Sequence, residues 1–131
     1  MANAKLKVTF TDIYVAQDGD PTDKGELYWN FKVDGSVVSS RSVANPRKTG
    51  SRETITLGES TTVTKSNALG TKLVISGFLG DRDSGFDGKD ESDTFSRTFT
   101  SADNWGTGHI QEGDISEKNL NATVHYIIER A

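Results

Sequence analysis

Glu26-Leu27-Tyr28-Trp29-Asn30-Phe31-Lys32-Val33-Asp34-Gly35 is the stretch that decides the fold. Leu27, Trp29, Phe31 and Val33 fall on one side of an extended chain, and Glu26, Tyr28, Asn30 and Lys32 on the other. Alternation with a period of two is the signature of a half-buried strand, because successive side chains point to opposite faces. Asp34-Gly35 then supplies the two left-handed positions of a tight hairpin, and Ser36–Val43 is its partner strand.

Working outward, the same period recurs. In Lys5–Ala16, Leu6, Val8 and Phe10 alternate with polar residues, and the apolar phase then slips by one to Ile13 and Val15. A one-residue slip inside a strand predicts a bulge near Asp12. Arg52–Leu57 alternates through Ile55 and Leu57, and Thr61–Lys65 continues it past Gly58. Thr71–Leu79, Asp93–Thr100 (with Phe95 and Phe99 on one side) and Asn119–Arg130 complete the set. In the last, Leu120, Ala122, Val124, Tyr126 and Ile128 are in phase. No segment has helical periodicity beyond two turns; Ser101–Asn104 has the start of a single short turn. The pattern predicts an all-β fold, an antiparallel β-sandwich of seven or eight strands in one domain spanning 1–131. A closed barrel has the same periodicity.

Composition agrees. The chain has 131 residues, 33% of them hydrophobic, and a mean hydropathy of −0.55. It has 15 threonines, 13 serines and 13 glycines, which favour strands and turns over long helices. The absence of cysteine excludes a disulfide framework, a thiol nucleophile and a Cys-based zinc site. No apolar run is long enough for a transmembrane segment. Met1–Lys7 lacks the apolar stretch of a secretory signal.

The net charge of −4 is unevenly placed. Residues 17–26 carry Asp18, Asp20, Asp23 and Glu26 against Lys24, a net of −3. Residues 81–93 carry Asp81, Asp83, Asp87, Asp90, Glu91 and Asp93 against Arg82 and Lys89, a net of −4. Together they hold −7, so the remainder of the chain is +3. Like charges this close repel. A hard divalent cation offsets that repulsion, since it takes six to eight oxygens and carboxylates are its best donors. Each segment contains Asp-x-Asp just after a strand, with glycines that let the backbone fold tightly around an ion. Calcium suits such irregular loops better than magnesium, which wants a strict octahedron. Neither segment is an EF-hand. Chain parity puts both loops at one end of the sandwich if residues 52–65 form one bent strand. A true hairpin at Gly58 would separate them.

Three stretches resemble C2-like calcium-binding β-sandwich domains. They are Ile13-Tyr14-Val15-Ala16-Gln17-Asp18-Gly19-Asp20, the restart Gly25–Phe31, and Val74–Asp83 with its acidic tail. The resemblance implies an eight-stranded sandwich whose paired Asp-rich loops share calcium ions. Asp18, Asp20, Asp81 and Asp83 would be the primary ligands, Asp87, Asp90 and Asp93 would fill remaining positions, and Asp23 and Glu26 are further candidates, Glu26 being equally readable as a solvated acid on the strand face opposite Trp29. The chain departs from the pattern in its middle loop, Ala44–Ser51, which has Asn45, Pro46, Arg47 and Lys48 but no acid.

The remaining residues narrow the function. His109 and His125 are the only imidazoles and no nucleophile adjoins either in sequence, so no enzyme is expected. Arg41, Arg47, Lys48 and Arg52 gather around one loop without aromatics, which argues against nucleic acid. Phe86 sits between the carboxylates of the second loop, placed to meet a lipid surface or a partner or to fold back onto the sandwich. Trp29 belongs to the core, whereas Trp105, in a Gly-rich stretch, is the one candidate sugar platform. The expectation is a calcium-binding module with a protein, carbohydrate or lipid partner. The rivals are a calcium-independent carbohydrate- or protein-binding module using Trp105 and the long Thr100–Lys118 loop, and a small hydrolase using the carboxylates.

Overall fold

The computed structural model describes residues 2–18, 25–82, 91–117 and 120–131. They form two antiparallel sheets. One has the order β5 (Glu53–Ser66), β1 (Asn3–Asp18), β9 (Leu120–Arg130), β8 (Gly108–Glu117). The other runs β3 (Ser36–Arg41), β2 (Gly25–Val33), β6 (Leu73–Asp81), β7 (Glu91–Phe99), with the three-residue β4 (Arg47–Thr49) also on β2. The architecture is the expected antiparallel sandwich rather than a barrel.

The alternating residues meet between the sheets. Leu27, Trp29, Phe31 and Val33 from β2 are buried, as are Leu6, Val8, Phe10, Ile13 and Val15 from β1 and the five in-phase residues of β9. The slip in β1 is a real bulge: Phe10 pairs with Tyr126 and Asp12 with His125, leaving Thr11 as the extra residue. Its hydroxyl donates to the His125 carbonyl at 3.1 Å. Without the bulge, Ile13 and Val15 would face solvent. The neighbouring β5 accommodates it at Gly58, whose φ of +68° suits glycine. Residues 53–66 are therefore one bent strand.

Aromatic contacts join the layers. Phe10 stacks on Phe31 with ring centroids 5.3 Å apart, and Phe31 meets Phe95 at 5.8 Å. Gly77 makes this possible, since a Cβ there would lie 2.6 Å from Phe31 and 2.8 Å from Phe95. At one seam, Trp29 Nε1 donates to Ser39 Oγ (3.1 Å), and Ser39 donates to Glu59 Oε1 (2.7 Å), linking β2, β3 and β5. At the other, buried Glu112 of β8 accepts from Arg97 of β7 (2.8 Å) and from the Tyr126 hydroxyl (2.7 Å).

Two expectations need correction. Thr100–Lys118 is not one long loop: a 3-10 turn at Ser101–Gly106 leads into β8. Glu112 hid that strand, because its buried carboxylate occupies an inward position that alternation reserves for an apolar side chain. Trp105 is no surface platform either. Its side chain is fully buried and its Nε1 donates to Asn67 Oδ1 at 3.1 Å. The left-handed backbone at Asn104 and Trp105 folds the ring inward.

Candidate cation-binding end of the sandwich

Pairing places the acidic segments. The Phe10–Phe31 stack sets β1 against β2, and from there β1 runs on to Asp18 while β2 runs back to Gly25. In β6, Asp81 pairs with Leu27, two residues from Gly25, and on its other side with Glu91, the first residue of β7. The strand ends that border both acidic segments therefore lie at one end of the sandwich, as parity requires of a single bent β5.

Asp81 is the best-defined candidate ligand. It lies two residues beyond Leu79, on the inward phase of β6, and is 3% exposed. Its Oδ1 accepts the Glu26 N–H at 2.9 Å. A carboxylate this buried requires hydrogen bonds or a positive charge. Asp93 stands opposite Leu79 at the start of β7, where Oδ1 accepts the Thr94 N–H at 2.8 Å. Asp18 is the last residue of β1, paired with Leu120. Asp20, Asp23, Asp83, Asp87 and Asp90, together with Phe86, lie outside the described residues. Among the described residues, no three His, Asp or Glu side chains form a metal-ligating group.

Arg82 follows Asp81 and turns onto β2. Its Nε lies 2.9 Å from Glu26 Oε2, its Nη2 contacts the same oxygen, and its Nη1 donates to the Val43 carbonyl at 3.1 Å. The Arg82 N–H donates to the Glu26 carbonyl at 2.7 Å. Glu26 is therefore an ion-pair partner rather than a solvated acid, and sequence alone did not reveal it. The register did: Leu27 opposite Asp81 brings 26 beside 82.

The same end carries the basic strand. Gly25 pairs with Thr49, Glu26 with Lys48 and Leu27 with Arg47. Arg47 and Lys48 are exposed, and Val43 nearby is 44% exposed. The histidines belong elsewhere. His125 Nδ1 sits against Asp12 across the bulge, and His109 lies on β8 rather than in a loop.

No family model matches the chain, and no curated protein does. Solved structures do. A C2 domain protein from Ramazzottius varieornatus superposes with a TM-score of 0.55 at 11% identity, over 99% of this chain and 90% of that one. Another C2 domain gives 0.51 at 14% identity, over 95% and 96% of the two chains. Human GIVD cytosolic phospholipase A2, solved with an inhibitor and terbium chloride, gives 0.50 at 10% identity. There the match takes 99% of this chain but only 18% of the enzyme. At such identities the likeness concerns backbone architecture, and on that basis this chain has a C2-like fold.

Proposed function

We propose that this domain is a calcium-binding C2-like module that works by attachment rather than turnover. The acidic segments hold the ion, which steadies the fold or switches on docking to an anionic membrane or a protein. One observation carries the reading: two segments with a combined charge of −7 are rooted at one end of a C2-like sandwich. The donor chemistry fits a hard cation. Asp81 brings a buried carboxylate to the root of the second segment, and Asp18, Asp20, Asp23, Asp83, Asp87, Asp90 and Asp93 supply further oxygens. Exposed Arg47 and Lys48 at the same end favour an anionic surface as the partner.

The test is calorimetric titration with calcium and with magnesium, then sedimentation with phosphatidylserine vesicles with and without calcium. Calcium is expected to bind and to promote sedimentation, with magnesium weaker. Asp81→Asn keeps an oxygen for the Glu26 N–H but loses its charge, and is expected to lose calcium affinity. No heat and no thermal response at millimolar calcium would reduce the acidic segments to solvated turns.

A further inference from the structure

Arg82 stands in sequence between Asp81 and Asp83, and a positive charge beside a cation site opposes the entry of another cation. Its contacts direct that charge onto Glu26. Nε and Nη2 meet the Glu26 carboxylate, Nη1 reaches the Val43 carbonyl, and the Arg82 N–H donates to the Glu26 carbonyl. The Glu26 N–H in turn donates to Asp81 Oδ1 at 2.9 Å. Amide, carbonyl and carboxylate of Glu26 thus all serve residues 81 and 82. Glu26 stands one residue after Gly25, where the first acidic segment rejoins the sheet, and Arg82 stands where the second leaves it.

Stability alone is a weak reason for this arrangement. The Arg82 side chain is 36% exposed and that of Glu26 21%; partly exposed pairs contribute little to stability. The geometry accomplishes something else. It holds the amide that orients a candidate ligand carboxylate, and it fixes the spacing between the roots of the two segments.

We propose that Arg82 and Glu26 are positioning residues for the cation site, a clasp that presets Asp81 and joins the two acidic segments at their base. This rests on the calcium reading above. Outer contacts that orient a ligating carboxylate typically govern metal affinity by about 10–100-fold.

Charge and position predict opposite signs, which makes the test decisive. Arg82→Gln removes a positive charge beside the site, so electrostatics alone would tighten calcium binding. Loss of positioning would weaken it. We expect calorimetry to show at least a roughly 10-fold weaker Kd for Arg82→Gln, with the calcium-free thermal midpoint close to wild type. Arg82→Lys keeps the charge but loses the planar fork, and is expected to weaken binding as well. If Arg82→Gln fails to fold, Arg82→Lys, which keeps the charge, decides the matter. Calcium bound by the wild type and equally well or better by the variants overturns the clasp while leaving the calcium reading intact. A wild type that binds no calcium overturns both.

Discussion

The two ends of the sandwich treat charge in opposite ways. At the end holding the Asp34-Gly35 hairpin, polar groups are matched. Asp34 Oδ2 pairs with Lys65 at 2.7 Å and its Oδ1 accepts the Val74 N–H at 2.9 Å. Trp105 donates to Asn67, Arg130 to Asn104, and Thr100 and Asp103 cap each other's backbone at the 3-10 turn. The other end carries the two acidic segments, and there Arg82 pairs with Glu26 while exposed Arg47 and Lys48 stand on the neighbouring strand. By sequence those two segments carry a net charge of −7, and like charges this close repel. That charge, at one end of a C2-like sandwich, is what an incoming cation would offset.

Four measurements break or sharpen this contrast. The largest effect belongs to the matched end: Trp105→Ala empties a fully buried site and is expected to cost ~3–5 kcal/mol in urea unfolding. A loss under 1 kcal/mol would mean that this end is less well packed than its contacts indicate. Next, calcium at about 100-fold excess over Kd is expected to stabilise the wild type by ~2.7 kcal/mol. For a domain of this size the thermal midpoint should rise by about 3–6 °C. An equal rise with magnesium would argue against a calcium-selective site.

The third concerns pH at the seam between the sheets. Burial, and then the hydrogen bond to Glu112, hold the Tyr126 phenol well above its ordinary pKa. Its folded pKa is raised, so the contribution is complete below the unfolded value of about 10 and is lost as pH rises beyond it. Above that pH the unfolded chain sheds the proton and the folded chain keeps it. Stability should then fall by ~1.4 kcal/mol per pH unit more steeply in wild type than in Tyr126→Phe. Parallel urea midpoints between pH 9 and 11 would contradict the effect.

The smallest pair of effects addresses the contrast directly. Lys65→Met breaks a matched pair and should lower stability by ~0.5–1 kcal/mol. Asp83→Asn removes a surplus charge and, in chelator, should leave stability unchanged or raise it by ~0.5 kcal/mol. If both variants lose stability equally, the ends do not differ.

Much of the fold was legible because burial writes itself into alternation. Leu27 to Val33, the phase slip before Ile13 and the in-phase residues of β9 all occupy the inner faces as read. What escaped obeyed a different rule. β8 turns a glutamate inward, where Arg97 and Tyr126 satisfy it from other strands. β4 is three basic and polar residues, too short and too polar for alternation to mark, which pair with β2. Trp105 looked exposed because its neighbours are small and polar, but two left-handed residues tuck it beneath the sheets. Of the candidate site, the shared end of the two segments was legible from strand order. The ion pair of Glu26 with Arg82 was not, because it spans 56 positions and only register brings its members together. The individual roles of Asp20, Asp23, Asp83, Asp87 and Asp90 fall to the titration.

The bend in β5 also bears on how these molecules behave in a crowd. β5 is an outer strand, and fourteen residues of unpaired edge would invite another chain to add itself to the sheet. The irregularity at Gly58 divides that edge: Glu59–Ser66 pairs with Asn3–Phe10, and Glu53–Thr56 pairs with Asp12–Val15. An incoming straight strand can follow one run but not both, and it meets Glu53, Glu59 and Lys65 along the way. The device that keeps the core in phase thus also leaves a poor template for aggregation.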